Sequence, residues 1–213
     1  MDANNLMQVV LGVLAAYLMG SVSSAVVVSK LRGLADPRSY GSGNPGATNM
    51  LRSGDKLAAA LTLLGDAAKG LLAVLLVPRL MGSDSPALLA AVALAVFLGH
   101  LWPVFFGFRG GKGVATALGV LLGLSIWVGL ACLATWLLVF RVSRTSSLAA
   151  LVAASVAPLV WWALHGLDPV FVGVLLMTML LVWRHRTNIR ALRAGVEHGF
   201  QTDRPTDDKS HRG

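Results

Sequence analysis

Two long stretches without a charged side chain constrain this chain more than any other feature. Residues 3–29 and residues 85–108 contain no Asp, Glu, Lys or Arg. Each exceeds the roughly 20 apolar residues that a helix needs to cross a bilayer. Because backbone groups in lipid must be hydrogen-bonded within their own segment, such stretches cross as helices. With 213 residues, of which 55% are hydrophobic and 13% charged, the sequence predicts an all-α integral membrane protein.

A cleaved signal peptide is the alternative interpretation of the first stretch. Residues 1–5 contain no basic side chain, and the apolar run that follows is longer than a signal peptide requires. We therefore expect a first membrane span at about residues 6–28.

The remaining apolar segments predict further spans at residues 57–77, 87–106, 147–164 and 169–183. The uncharged region 113–140 is too long for one upright helix and too short for two full ones. If this region is a hairpin, every Lys and Arg except Lys69 and Arg79 falls on one side of the membrane. The positive-inside rule makes that side the cytoplasm. We expect seven spans with the N-terminus outside and the C-terminus in the cytoplasm. The fourth is a short helix of about 11 residues from Val114, and the fifth ends near Phe140.

The basic balance and the cysteine content exclude other classes of protein. The net charge of +8 is explained by the positive-inside rule, so we expect no nucleic-acid partner. The single Cys132 cannot form a disulfide within the chain. We expect one membrane domain over residues 1–200 and a polar, flexible cytoplasmic tail over residues 201–213.

The first polar loop joins the first two spans and is rich in glycine, hydroxyl and amide groups. Its glycines fit the pattern G-x-G-x-x-G, but no strand precedes them, so a dinucleotide-binding fold is rejected. Glycines let backbone N–H groups turn toward an anion, and an arginine adds a fixed charge. The alternative is an ordinary turn between helices. The predicted phosphate-binding residues of this loop are Gly41, Gly43, Asn44, Gly46, Thr48 and Asn49, and its candidate catalytic residues are Ser42 and Arg52.

The second polar loop, residues 106–113, leads directly into a predicted helix. It is not a Walker A motif, because Phe106 replaces the first glycine and no Ser or Thr follows Lys112. Glycines, a lysine and a helix N-terminus can nevertheless bind phosphate by the same mechanism. The alternative is a basic loop that anchors lipid headgroups. The predicted phosphate-binding residues here are Gly110, Gly111 and Gly113, and Lys112 is a candidate catalytic residue.

The third polar loop, residues 184–198, follows the last span. If it is helical, His185 and Asn188 share one face. A histidine can transfer a proton near neutral pH, and an amide can hold an oxyanion or a phosphate. The alternative is a snorkelling basic end of the last helix. Glu197 is a further candidate, in a supporting role.

Three polar side chains fall inside the predicted spans. Asp66 and Lys69 are three residues apart in the second span, and we expect a structural ion pair because unpaired charges are costly in a membrane. His100 is expected to be structural. No cluster of ligands has the spacing of a metal site, so no metal is predicted.

Together the three loops make this chain resemble the bacterial acyl-phosphate:glycerol-3-phosphate acyltransferase family, PlsY. The matching strings are GSGNPGATNMLR (41–52), LGHLWPVFFGFRGGKGVATALG (98–119) and RHRTNIRALRAGVEH (184–198). The resemblance covers about residues 6–200. It implies a seven-helix enzyme of the bacterial inner membrane whose active site faces the cytoplasm. The implied reaction transfers an acyl group from acyl phosphate to the 1-hydroxyl of glycerol 3-phosphate. It yields lysophosphatidic acid and phosphate without a cofactor, as the first acyl step of phospholipid synthesis.

The resemblance also implies roles for single residues. The essential serine and arginine of the family's first loop fall on Ser42 and Arg52, and its glycerol 3-phosphate loop falls on residues 110–113. Its histidine, asparagine and glutamate fall on His185, Asn188 and Glu197. This chain departs from the family at Gly199, where a basic residue is usual. His198 and Asp203 fit the H-x-x-x-x-D signature of a different acyltransferase family, which we interpret as coincidence.

Several alternatives stay open at this point. His185 could accept the proton of the attacking hydroxyl, or a donor phosphate oxygen could accept it while Ser42, Lys112 and Asn188 position charges. Ser42 as an acylated nucleophile is the third possibility. A transporter for an anionic phosphorylated solute is the alternative function, and a membrane scaffold is the least informative one. Expected partners are both substrates, membrane lipid and the soluble enzyme that makes acyl phosphate.

Overall fold

The computed structural model describes residues 3–197, with side chains described from residue 7 onward. Within that range the chain is helical and contains no β-strand. The expected tail at 201–213 and the His198–Asp203 spacing lie outside the described residues. The α-helices are α1 Ala3–Ser21, α2 Ser24–Leu31, α3 Ala47–Met50, α4 Lys56–Leu80, α5 Pro86–Leu101, α6 Val114–Leu124, α7 Ile126–Ser143, α8 Ser146–His165, α9 Pro169–Arg184 and α10 Arg186–Arg193. Short 3₁₀ turns occupy Leu51–Ser53 and Val104–Phe106.

The helical hairpin expected in the long uncharged region is confirmed. Helix α6 has 11 residues and begins at Val114, and α7 returns from Ile126 to Ser143, slightly beyond the expected end. In the described range, four helices are long and apolar enough to span a membrane, or six if each of two bent pairs is counted as one span. The count of seven spans and the orientation of the termini stay predictions.

The first span is not the single helix that we predicted. It breaks at Val22–Ser23, and α2 is bent by 45° from α1. A break inside a membrane frees backbone carbonyl groups that need a partner. The buried Lys69 supplies one, because its Nζ donates to the Val22 carbonyl at 2.8 Å. The break is therefore stabilised by a side chain 47 residues away, which local sequence could not indicate.

The predicted end of the second span at Pro78 is also wrong. Helix α4 continues through Pro78 to Leu80, because a proline near a helix end removes only its own N–H donor while later residues keep theirs. Met81 N still donates to Val77 O at 3.0 Å. In α8, Pro158 frees the carbonyl of Ala154, and that carbonyl accepts from Thr178 Oγ1 at 3.0 Å. Both prolines are thus accommodated without a helix break.

Small residues bring the helices into close contact. A Cβ on Gly20 of α1 would overlap the backbone of Val96 in α5, and one on Gly119 of α6 would overlap the backbone of Ala67 in α4. Close approach at small residues is how helices pack in lipid, where no hydrophobic drive holds them together. Because consecutive spans alternate in direction, the three polar loops and the α7–α8 turn lie at one end of the bundle, here called the loop end.

Candidate active site

Side-chain contacts join the three polar loops at the loop end. Lys112 Nζ of loop two donates to Asn188 Oδ1 of α10 at 2.5 Å. Arg38 of loop one donates to the Phe106 carbonyl of loop two at 3.2 Å. Thr48 Oγ1 of loop one lies 3.3 Å from Ser146 Oγ, at the start of α8. The sequence elements that were predicted to share a site are therefore adjacent in space.

Asn49 organises loop one from the inside. It is 1% exposed, and its Oδ1 accepts from the backbone N and the Oγ of Ser42 at 2.9 and 3.2 Å. The same oxygen lies 3.4 Å from Arg52 Nη1. Its Nδ2 donates to the carbonyls of Pro37 and Tyr40. Both ends of this amide are engaged, so Asn49 holds Ser42 and Arg52 in place.

The glycines of loop one shape the backbone. Gly41 and Gly43 have φ of +57° and +65°, in the left-handed region that glycine adopts without strain. The amides of Gly43 and Gly46 already donate to the carbonyls of Tyr40 and Asn44. We expected these N–H groups to face a phosphate, and the structure instead pairs them within the loop. Among the predicted site residues of this loop, the side chains of Ser42, Thr48 and Arg52 are exposed, while Asn44 is half-buried.

Loop two packs tightly over the end of α5. The Gly111 amide donates to the His100 carbonyl at 3.1 Å, and a Cβ on Gly111 would overlap the His100 imidazole. A Cβ on Gly110 would overlap backbone carbonyls of α5. Gly113, with φ of +87°, lies against the ring of Phe97. These three buried glycines allow the loop to lie close to the bundle, with Lys112 between them.

Lys112 is one end of a chain of polar contacts that we call the loop cluster, which runs from Lys112 through Asn188 and Glu197 to Ser147. Asn188 Nδ2 and Ser147 Oγ both donate to Glu197 Oε1, each at 2.6 Å. Burial lowers the pKa of the Lys112 ammonium, Glu197 opposes that change, and the positive charges of Arg184 and Arg52 add to it. Arg38 of loop one, which donates to the Phe106 carbonyl, brings a further positive charge next to loop two.

The two residues at the end of α9 are placed differently. Arg184 is half-buried and donates to the carbonyls of Gly111 and Gly110 at 3.1 and 2.8 Å. His185 is 2% exposed, and its Nδ1 lies 2.8 Å from the Leu181 carbonyl. Because a carbonyl only accepts, Nδ1 carries a proton, and Nε2 of the neutral ring is the acceptor.

The structure separates a second polar group from the loop end. Asp66, Lys69 and His100, here called the deep cluster, are at most 8% exposed. Lys69 Nζ lies 2.9 Å from Asp66 Oδ1, which confirms the predicted ion pair. His100 Nδ1 lies 3.6 Å from the same oxygen. The imidazole of His100, in α5, lies against Gly111 of loop two. The deep cluster therefore supports loop two from inside the bundle.

Sequence reasoning missed three residues at this end. Ser147 and Arg184 bond to groups 50 and 73–74 residues away, and Arg38 bonds to a carbonyl 68 residues away. Only the basic character of Arg38 and Arg184 gave a signal, and Ser147 gave none. In the described part of the chain, no group of three His, Cys, Asp or Glu residues is arranged to hold a metal ion.

Comparison with known proteins adds a family likeness. The family model described as glycerol-3-phosphate acyltransferase matches residues 10–195. A glycerol-3-phosphate acyltransferase of Ralstonia nicotianae is 62% identical over 187 residues, covering 86% of this chain and 89% of that protein. One of Thioalkalivibrio sulfidiphilus is 60% identical, covering 87% of this chain and 90% of that protein.

Solved structures resemble this fold as well. The crystal structure of PlsY (YgiH), an integral membrane glycerol 3-phosphate acyltransferase, in its glycerol 3-phosphate form has a TM-score of 0.85 and 41% identity. Its lysophosphatidic acid form has a TM-score of 0.83 and 40% identity. Each covers 91% of this chain and 96% of the compared chain. The all-α integral membrane architecture predicted from the sequence is thereby confirmed.

Proposed function

The chain belongs to the glycerol-3-phosphate acyltransferase family, and we propose that it transfers a fatty acyl group to the 1-hydroxyl of glycerol 3-phosphate at its loop end. The product is lysophosphatidic acid. The observation that carries this proposal is the half-buried Lys112, whose Nζ donates to Asn188 Oδ1 at 2.5 Å, in a loop that Arg38 of loop one also contacts. Three segments far apart in sequence thus supply charged and amide groups to one place, as recognition of a phosphate requires.

We propose acyl phosphate as the acyl donor. The oxygen of the 1-hydroxyl attacks the acyl carbonyl carbon, the bond from that carbon to the phosphate oxygen breaks, and inorganic phosphate leaves. The hydroxyl proton passes to a base or to the departing phosphate. Both substrates carry a phosphate, so the site must neutralise two anions. The activated donor makes a strong protein nucleophile unnecessary.

The charges divide naturally between the two anions. Lys112 supplies a point charge next to the N-terminus of α6, whose peptide dipoles also favour an anion. Arg52 supplies a planar guanidinium that can hold two phosphate oxygens at once. Asn188, held by Glu197 at 2.6 Å, and the exposed hydroxyl of Ser42 orient the reacting groups. Gly41, Gly43, Gly46 and Gly110–Gly111 act by shaping the loops, because the amides of Gly43, Gly46 and Gly111 are paired within the protein.

His185 is the proposed general base. Its ring is fixed with Nδ1 toward the Leu181 carbonyl, which leaves Nε2 as the nitrogen that can accept the hydroxyl proton. In the alternative, an oxygen of the donor phosphate accepts the proton, and His185 only orients the substrate. A His185→Gln variant separates the two mechanisms. Loss of about 100-fold or more in kcat supports the base, whereas a near-normal rate at saturating substrate would exclude it.

The cellular setting is part of the proposal. Because the basic residues collect at the loop end, that end faces the cytoplasm of the bacterial inner membrane under the positive-inside rule. The acyl chain enters from the surrounding lipid between helices. A soluble enzyme that makes acyl phosphate is the expected partner on this side. A transporter is disfavoured because the candidate phosphate-binding side chains Arg52, Lys112 and Asn188 belong to the loop end of the bundle and not to its middle.

The deciding experiment uses the purified full-length protein in detergent. Acyl phosphate, acyl-CoA and acylated carrier protein are each supplied with glycerol 3-phosphate, and both phosphate release and lysophosphatidic acid are measured. We expect equimolar products with acyl phosphate alone. Product from the thioesters but none from acyl phosphate would refute the proposed donor, and no product from any donor would refute the proposed reaction. A serine ester trapped on Ser42 during turnover would refute direct transfer.

A further inference from the structure

Arg184 makes the firmest contacts between the end of α9 and loop two. Its Nε donates to the Gly111 carbonyl at 3.1 Å and its Nη2 to the Gly110 carbonyl at 2.8 Å. The guanidinium also lies over the ring of Trp102, 5.9 Å from its centroid. One planar fork therefore binds two successive backbone carbonyl groups across 73–74 residues of sequence.

Those two carbonyls need such a partner. Gly110 and Gly111 are buried against the end of α5, where a backbone carbonyl without a hydrogen bond is strongly unfavourable. The Gly111 amide is already satisfied by the His100 carbonyl. Arg184 and His100 together therefore fix the diglycine backbone from two sides.

We propose that Arg184 is a positioning residue that clamps the Gly110–Gly111 backbone and thereby holds Lys112 opposite Asn188. Lys112 directly follows Gly111, so the orientation of that peptide sets where the lysine side chain begins. Asn188 lies four residues after Arg184, so the clamp also sets the distance between loop two and α10. The 2.5 Å contact between Lys112 and Asn188 is the result. The inference rests on the proposed function, in which these two side chains meet glycerol 3-phosphate.

The competing role for Arg184 is direct contact with a substrate phosphate. Two features favour the clamp. Its donors are already directed at carbonyl groups, and its planar fork matches two adjacent acceptors, which the single ammonium of lysine does not. A direct contact would depend mainly on charge, so lysine would preserve much of it. The clamp depends on geometry, so lysine would not.

The test compares Arg184→Ala and Arg184→Lys with Arg186→Ala in the full-length protein. Arg186 is the matched control, because it is exposed and its guanidinium lies over the ring of Trp183 and donates to the Trp183 carbonyl. Amide hydrogen exchange of residues 107–113 is measured without substrate, and kcat and KM for glycerol 3-phosphate are measured with acyl phosphate as donor.

We expect Arg184→Ala to speed exchange in loop two by about tenfold and to raise KM for glycerol 3-phosphate by about tenfold, as loss of charge-assisted hydrogen bonds predicts. Arg184→Lys should resemble Arg184→Ala, and Arg186→Ala should resemble the wild type. Unchanged exchange in Arg184→Ala, with or without a raised KM, would overturn the clamp. So would an Arg184→Lys variant with normal exchange.

The two proposals fail in different ways. If the wild type does not turn over glycerol 3-phosphate, the proposed function fails, but hydrogen exchange still decides whether Arg184 orders loop two. If Arg184→Ala does not fold, Arg184→Lys decides alone, because it keeps the charge and most of the volume while losing the fork. Normal exchange in that variant, whatever its KM, would exclude the clamp.

Discussion

The loop cluster and the deep cluster contain similar chemistry in different surroundings. Each has one lysine and one carboxylate, and each connects segments far apart in sequence. In the deep cluster the Lys69 ammonium contacts the Asp66 carboxylate at 2.9 Å and a backbone carbonyl at 2.8 Å. In the loop cluster a neutral amide, Asn188, stands between Lys112 and the carboxylate of Glu197.

This difference separates a structural role from a binding role. A buried lysine whose donors meet a carboxylate and a freed carbonyl has its charge compensated within the protein. Lys112 touches an amide oxygen, which a phosphate can replace with gain, because a charged acceptor makes the stronger hydrogen bond. The Lys69–Val22 contact indicates that the deep cluster stabilises the broken first span, and the contrast between the clusters supports the proposal that the loop cluster receives an anion.

The largest expected effect comes from Lys69→Met. The variant leaves the buried Asp66 carboxylate without its ion-pair partner and the Val22 carbonyl without its donor, so the free energy of unfolding should fall by about 3–5 kcal/mol. Thermal unfolding in detergent measures this. Asp66→Asn combined with Lys69→Met removes both charges and should recover part of the loss. Lys56→Met, at the exposed start of the same helix, should change stability by less than about 0.5 kcal/mol.

The structural role assigned to the deep cluster is wrong if Lys69→Met unfolds at the wild-type temperature and yet lacks activity. That result would make the deep cluster part of the substrate site and not a support for the fold.

Lys112→Met should lower activity and leave stability nearly unchanged. Removing a charge that is directed at phosphate is expected to lower kcat/KM for glycerol 3-phosphate by about 100- to 1,000-fold, while the unfolding temperature stays near that of the wild type. Lys30→Met, at the exposed end of α2, is the matched control for loss of positive charge at the loop end and should keep the wild-type rate. A large fall in stability with Lys112→Met would show that its charge is structural too.

The sequence predicted the helices well where the pattern of charge is decisive. The α6–α7 hairpin followed from the distribution of Lys and Arg, and its 11-residue first helix was confirmed. The break at Val22–Ser23 was not predicted, although it lies in a Gly-Ser-Val-Ser-Ser run at residues 20–24 that is typical of helix breaks. It depends on Lys69, which reaches the freed carbonyl only after α4 has packed against α1 and α2.

The candidate site divides in the same way. The sequence indicated His185, Asn188 and Lys112 because their residue types suit phosphate and proton chemistry. It could not indicate that the Asn49 side chain forms its hydrogen bonds within loop one or that Ser147 donates a hydrogen bond to Glu197. Those contacts depend on helix packing and loop conformation, to which a pattern of residue types is blind.

A smaller effect on substrate binding is expected from adding one methyl group at Gly111, which lies between the two clusters. In Gly111→Ala the new Cβ would overlap the His100 imidazole, so loop two must shift and Lys112 with it. We expect KM for glycerol 3-phosphate to rise by about tenfold, as displacement of positioned groups does. Gly107→Ala is the matched control in the same loop, because nothing lies within 4 Å of its added Cβ and only its φ of +63° is strained. Equal KM values for the two variants would show that the deep cluster does not support the loop.

The smallest effect is a change in pH dependence that singles out the loop cluster. Burial lowers the pKa of Lys112 below its ordinary 10.5, while Glu197 raises it and Arg184 and Arg52 lower it further. The protonated ammonium binds phosphate, so kcat/KM should be full below this lowered pKa and fall as the pH rises through it. Glu197→Gln removes the only carboxylate that raises this pKa among the described residues, and the alkaline limb should therefore move to lower pH.

Asp36→Asn is the control for that shift, because Asp36 pairs with Arg38 and has no resolved influence on Lys112. Its alkaline limb should coincide with that of the wild type. The second ionisation of the substrate phosphate, near pH 6, lies too low to produce the alkaline limb. If Glu197→Gln left this limb in place, the group that titrates there would not be Lys112. The Glu197 carboxylate would then serve only to hold the Asn188 amide. The loop cluster would in that case have a structural role, as the deep cluster does.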